Sequence, residues 1–141
     1  MNGYLLDTHA AIWFFTGDAL LSKTADQIIS EGVNRVYLSV TSAWELAIKI
    51  SIGKLRFPGN SAGFIQAVQD IDITIIPIKP DHFTALEKLP LLHRDPFDRL
   101  LIATVISEQM TFISAVKNIA QYDVPLVSNK LEAANSVGAD I

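Results

Sequence analysis

No cysteine occurs in the chain, which excludes disulfide bonds and thiolate metal sites. Charge is also scarce: Asp, Glu, Lys and Arg make up 18% of the residues, against about 25% in ordinary globular domains. That deficit points to surface covered by a second copy or a partner. Long apolar runs are missing as well. The uncharged stretches are broken by polar residues well short of the roughly 20 apolar residues that a spanning helix requires. Met1-Asn2-Gly3 has no basic start of the kind a signal peptide carries. A cytoplasmic protein with no membrane association is therefore expected. Basic residues are outnumbered, 11 Lys and Arg against 15 Asp and Glu, for a net charge of −4. This argues against a binder that relies on a broad basic face. It leaves open an acidic site that reaches phosphate through a bound cation.

What is present suffices for one ordinary domain: 141 residues, half of them hydrophobic. Tyr4–Leu6 reads as a short buried strand, followed by a helix start at Asp7-Thr8 and a break at Gly17-Asp18. Leu20–Ser30 has helical spacing and a plausible C-cap at Gly32. Val36–Val40 is a second strand, after which Thr41-Ser42 cap a helix running to Ser51. A short helix is expected over Gly63–Gln69. A third strand over Ile73–Ile78 belongs at or near an edge because Pro77 interrupts it. Pro80–Lys88 reads as a helix, Leu89–Arg94 as a loop, and Pro96–Gln109 as a helix. Thr111–Ser114 and Val124–Val127 complete the strands. Residues 129–141 form a loose tail or a short terminal helix beyond a domain spanning residues 1–128. Alternating strands and helices predict an α/β fold with a mainly parallel sheet covered on both faces.

Three acids stand where apolar segments give way to helices: Asp7, Glu45 and Asp98. Each has a structural explanation. Asp7 suits a helix N-cap. Glu45 in Ser42-Ala43-Trp44-Glu45 suits a capping box. Asp98 suits position N3 behind Asp95 as cap and Pro96 at N1. As a set they offer another reading. Ligands of open α/β sheets sit beyond the strands' carboxyl ends, and carboxylates gathered there repel one another unless a cation lies between them. Mg²⁺ or Mn²⁺ suits such oxygen ligands and supports phosphodiester chemistry. His9, two residues after Asp7, reads as a polar helix residue rather than a base. His93 meets substrate or solvent, and His82 has no distinguishing context. Trp13 and Trp44 read as core or interface residues rather than base-stacking ones. Two cationic groups, Lys49 with Lys54 and Arg56, and Arg94 with Arg99, either flank a groove or form solvated surface.

Four segments carry a resemblance: Leu5–Ala10 (LLDTHA), Ser42–Lys49 (SAWELAIK), Leu89–Ala103 (LPLLHRDPFDRLLIA) and Asn118–Val124 (NIAQYDV). In their order and spacing the chain resembles the PIN-domain ribonucleases, and among them the VapC toxins of type II toxin–antitoxin pairs. The resemblance implies a three-layer α/β/α sandwich and Mg²⁺- or Mn²⁺-dependent cleavage of RNA. It also implies a homodimer held inactive by a cognate antitoxin, with operator DNA reached only through that antitoxin. Asp7 and Asp98 become the principal metal ligands and Glu45 the third acid, the three forming the catalytic set. Thr8, Arg94, Asp95, Arg99 and Ser114 border the site as substrate-binding candidates. One departure stands out: the family's fourth acid is replaced in Ser114-Ala115-Val116 by valine. The alternative is thus a catalytically weakened PIN domain that acts mainly by binding antitoxin or RNA. A receiver-like or phosphatase-like domain lacks a convincing phosphate-accepting set here.

Overall fold

The computed structural model of the chain describes residues 3–114, 122 and 124–128. Five strands, β1 (Tyr4–Leu6), β2 (Val36–Ser39), β3 (Thr74–Ile76), β4 (Thr111–Ser114) and β5 (Leu126–Ser128), form one sheet in the order β3-β2-β1-β4-β5. All four pairings are parallel. Among the described residues six helices join them: α1 (Thr8–Thr16), α2 (Lys23–Ser30), α3 (Val40–Ser51), α4 (Asn60–Asp70), α5 (Pro80–Lys88) and α6 (Pro96–Glu108). This is the α/β/α sandwich expected from the sequence, with β3 at an edge.

Successive strand residues face opposite sides of a sheet, and β1 uses this to anchor both layers. Leu6 packs with Ala10, Ala25, Leu46, Phe64 and Val68 from α1, α2, α3 and α4. Leu5 points the other way, into Leu101, Ile102 and Val105 of α6 and Phe112 of β4. Both leucines are wholly buried, each contributing about 1.5–3 kcal/mol. The central strand is therefore apolar up to Leu6 and turns abruptly acidic at Asp7.

Several element boundaries differ from the expected ones for local reasons. Helix α2 starts at Lys23 rather than Leu20, because the Ser22 hydroxyl accepts the Ala25 N–H at 3.1 Å. It ends with Glu31 as its C-cap, so Gly32 is not the cap. Helix α3 starts at Val40, directly after β2, with Ser39 accepting the Thr41 N–H at 3.0 Å. Thr41-Ser42 thus lie inside the helix and do not cap it. Helix α4 begins at Asn60, earlier than Gly63, and β5 lies at Leu126–Ser128 rather than Val124–Val127. His82, undistinguished in sequence, is buried between α5 and α6. Its Nδ1 accepts the Lys79 N–H at 3.1 Å, and its Nε2 lies 2.8 Å from Glu108 Oε2. That bond holds the Glu108 carboxyl below its ordinary range, with Lys79 adding to the effect. The expected tail over residues 129–141 lies outside the described residues.

Helix α4 packs on α3, and a close approach of main chains sets its start. A Cβ on Gly63 would lie 2.1 Å from the Pro58 carbonyl oxygen. A Gly63→Ala variant should lose about 1–3 kcal/mol in thermal or urea unfolding despite alanine's higher helix propensity. The control Gly32→Ala, whose Cβ meets nothing within 4 Å, should stay within about 0.5 kcal/mol of the parent.

Candidate active site

From β1 the chain steps outward through β2 to β3, and from β4 it steps the other way to β5. The boundary between β1 and β4 is therefore the topological switch point, where open parallel sheets bind ligands beyond the strands' carboxyl ends. Leu6 is in register with Ile113, which brings Asp7 level with Ser114. The Ser114 hydroxyl donates to Asp7 Oδ2 at 2.6 Å. Asp7 Oδ1 accepts the Ala10 N–H at 2.6 Å, making Asp7 the N-cap of α1 as well. Its side chain is only 1% exposed. A carboxylate so placed is held by hydrogen bonds and by the positive end of α1.

Glu45 reaches the same end of the sheet by a route the sequence did not reveal. Since α3 begins at Val40, Glu45 falls in its second turn and cannot close a capping box. It is 2% exposed. The Thr8 hydroxyl, 3.0 Å from Ser42 Oγ, donates to Glu45 Oε1 at 2.6 Å. Lys49, one turn further along α3, donates to Glu45 Oε2 at 2.6 Å. This i,i+4 pair is the one carboxylate–ammonium contact at the site among the described residues.

Asp98 takes the place expected of it, at N3 of α6 with Pro96 at N1. The Asp95 side chain caps the helix by accepting the Asp98 N–H at 2.9 Å. His93 Nε2 and Asp98 Oδ2 are hydrogen-bonded at 2.7 Å. Burial pushes the Asp98 carboxyl up to about 6 from 3.8, the His93 contact opposes that rise, and the charges of Asp95, Glu45 and Asp7 add to it. Two acids from distant parts of the chain thus act electrostatically on Asp98. The loop bearing His93 is tied down at two points. Arg99 donates to the Pro90 carbonyl at 3.0 Å, and Leu92 N–H donates to the Tyr122 hydroxyl at 3.1 Å.

Of the five residues expected to border the substrate, four are engaged within the protein. Thr8 and Ser114 give their hydroxyls to Glu45 and Asp7, Asp95 caps α6, and Arg99 braces the loop. Arg94 is exposed beside His93. His9 is exposed, 6.0 Å from the Trp13 ring. Trp13 packs against the core, whereas Trp44 is not a core residue: it is 54% exposed. Val116, Asn118 and Asp123 lie outside the described residues. Two residues became site members only in three dimensions. Lys49 had a sequence signal, its i,i+4 spacing from Glu45. His93 had none beyond its position two residues before a helix cap.

The donor set can be tested against a hard cation. Asp7, Glu45 and Asp98 are carboxylates at least partly buried, and Lys49 alone supplies a full opposing charge among the described residues. Among the described residues, however, no three His, Asp or Glu side chains are close enough to enclose an ion. Two hollows among the described residues, about 470 and 580 Å³, are lined by α5–α6 residues and by the segment after α3, and contain none of the three acids. The arrangement fits an open rim site in which Mg²⁺ or Mn²⁺ is held by one or two carboxylates and retains several waters. It does not fit a closed cage.

An acid-rimmed switch point on a parallel α/β/α sandwich suits phosphodiester chemistry assisted by a divalent cation. The PIN domain model matches residues 4–125, and the chain belongs to the PIN-domain family, whose members are nucleases that generally use divalent metal ions. No curated protein matches the chain in sequence. Among solved structures, VapBC2 from Rickettsia felis, crystallised bound to a DNA fragment from its promoter, superposes with a TM-score of 0.68 at 15% identity. The match covers 90% of this chain and 98% of that one. No helix among the described residues is long and apolar enough to cross a membrane.

Because the folded-state carboxyl of Asp98 titrates near 6 rather than 3.8, the folded protein binds the extra proton. Its contribution to stability therefore falls as pH rises from about 4 to about 6 and stays low above that. In EDTA at pH 7.5, Asp98→Asn should be more stable than the parent by about 1–2 kcal/mol, after allowance for solvent screening. The difference should vanish near pH 4, as read by urea unfolding across pH. An unchanged gap from pH 4 to 8 would show that Asp98 carries no such penalty.

Proposed function

We propose that the chain is the toxin of a type II toxin–antitoxin pair, a VapC-like endoribonuclease dependent on Mg²⁺ or Mn²⁺. The observation that carries this reading is the placement of Asp7 at the switch point of a PIN-family sheet, with Glu45 joined to the neighbouring Thr8 and both acids raising the proton affinity of Asp98. Asp7 and Asp98 hold the metal, with Glu45 as the third acid. When bound, the cation supplies charge to the scissile phosphate and lowers the pKa of water. The protein's own groups do the positioning. Ser114 and the Ala10 N–H fix the Asp7 carboxylate, and Thr8 and Lys49 fix that of Glu45. His93 steadies Asp98 through their 2.7 Å hydrogen bond. Arg94, exposed on the loop, meets RNA phosphate.

The partner assignments follow the same reading. A cognate antitoxin covers the toxin and carries it to operator DNA, and the toxin is a cytoplasmic homodimer. The structural neighbour with promoter DNA bound supports the antitoxin partnership. Exposed Phe83 on α5, Ile106 on α6 and Leu92 in the loop after α5 supply apolar surface for protein contacts.

An unstructured RNA oligonucleotide should be cut in Mg²⁺ or Mn²⁺ and left intact in EDTA. Removing a partner that merely orients a metal ligand costs about 10–100-fold, so Asp7→Ala should cost at least that much. Equal cleavage by parent and Asp7→Ala would overturn the reading. The weakened-domain alternative rests on Val116, where the family carries an acid, and on the lack of a three-acid cluster among the described residues. On that reading Val116→Asp raises metal-dependent cleavage and metal affinity, measured by titration calorimetry; no change in either would dismiss it.

A further inference from the structure

Glu45 and Lys49 stand one turn apart on α3, and the acid of this pair lies inside the protein. Glu45 is 2% exposed, and the Lys49 side chain is 33% exposed. Side chains of a helix lean toward its N-terminus, so Lys49 reaches back. Its ammonium donates to Glu45 Oε2 at 2.6 Å. The Thr8 hydroxyl takes the other oxygen, Oε1, also at 2.6 Å. Both oxygens of this buried carboxylate are thus matched from within the chain, one of them by a full charge.

A cation arriving at the rim therefore finds Glu45 occupied. The charges of Glu45 and Asp7 reach Asp98, yet among the described residues no three acidic or histidine side chains lie close enough to enclose an ion. On Glu45 Oε2 a divalent ion would stand beside the Lys49 ammonium, and the two cations would repel at a largely buried carboxylate. On Oε1 it would compete with the Thr8 hydroxyl. Mg²⁺ and similar ions are commonly held by one or two carboxylates, with water in the remaining positions. Asp7 and Asp98 suffice for that.

We propose that Lys49 is the built-in counter-ion of Glu45 and holds this acid outside the inner coordination of the divalent ion, as a fixed charge rather than a ligand. Lys49 is then a positioning residue of the site. The proposal rests on the metal-dependent reading above, and its test reads metal affinity in place of cleavage. Mn²⁺ is titrated calorimetrically into the intact chain and its variants, each first freed of metal with EDTA. Asp7→Asn should weaken Mn²⁺ binding by about tenfold or more, whereas Glu45→Gln should change Kd by less than about threefold. Lys49→Met frees a Glu45 oxygen and should tighten Mn²⁺ binding by about tenfold, a direction that loss of structure does not produce. Lys49→Arg keeps a charge on Glu45 and should keep the parent's Kd. In the double variant Lys49→Met, Glu45→Gln the gain should disappear. Lys54→Met removes one charge from the exposed segment after α3 and should leave Kd within about threefold, which separates contact from net charge. Even where Lys49→Met is unstable in EDTA, Mn²⁺ should raise its Tm by more than the parent's. The proposal fails if Glu45→Gln weakens Mn²⁺ binding as much as Asp7→Asn does, or if Lys49→Met binds Mn²⁺ no more tightly than the parent. A parent that takes up no Mn²⁺ overturns the metal-dependent reading as well as this one. A parent that binds Mn²⁺ without cutting RNA overturns the nuclease reading alone.

Discussion

A carboxylate buried at the end of an apolar strand is the constraint on which both fold and site depend. Asp7 is 1% exposed, and an ion so placed is costly unless its oxygens are satisfied. The protein supplies the Ala10 N–H, the Ser114 hydroxyl and the start of α1. One side chain thus starts a helix, bridges β1 to β4 and has both oxygens fixed in place. Glu45 is treated similarly by Thr8 and Lys49, and Asp98 by His93 and the cap at Asp95.

This arrangement sets stability against activity at the same atoms. Asp98 would be easier to accommodate without its charge, as its elevated proton affinity records. Like charges brought within range of one another are tolerated because the surrounding sheet and helices over-determine their positions. Leu5 and Leu6 on β1, and Leu101, Ile102 and Val105 on α6, are buried within the two cores immediately behind the acids. The apolar layers supply the stability that the charged rim gives up.

The architecture was legible because its signals are local. Alternating apolar strands and periodic helices announce a parallel sandwich, Pro77 marks β3 as an edge, and Asp95-Pro96 announces the start of α6. The acids could be named for the same reason: each sits near the end of a readable element. What stayed hidden depends on where elements meet. Ser42-Ala43-Trp44-Glu45 has the letters of a capping box, but Ser39 starts the helix three residues earlier, and that rotation turns Glu45 inward toward Thr8. Thr8 and Ser114 read as substrate-binding candidates, and the fold adds that their hydroxyls donate to Glu45 and Asp7. Trp44 read as a core or interface residue, and its 54% exposure removes only the core half of that reading. His93 became a partner of Asp98 through the fold of a loop that has no periodicity to read.

The parallel register of β1 has one more consequence. Side chains along a strand alternate between faces, so sliding β1 by one residue relative to β2 and β4 would exchange the surroundings of Leu6 and Asp7. The misaligned chain would drive an ionised group into the hydrocarbon layer built around Leu46, Phe64 and Val68 and leave Ser114 facing a methyl group. An error of 3.3 Å or so along the strand would thus be among the most expensive this protein could make. The acid buried there also proofreads the assembly of the sheet.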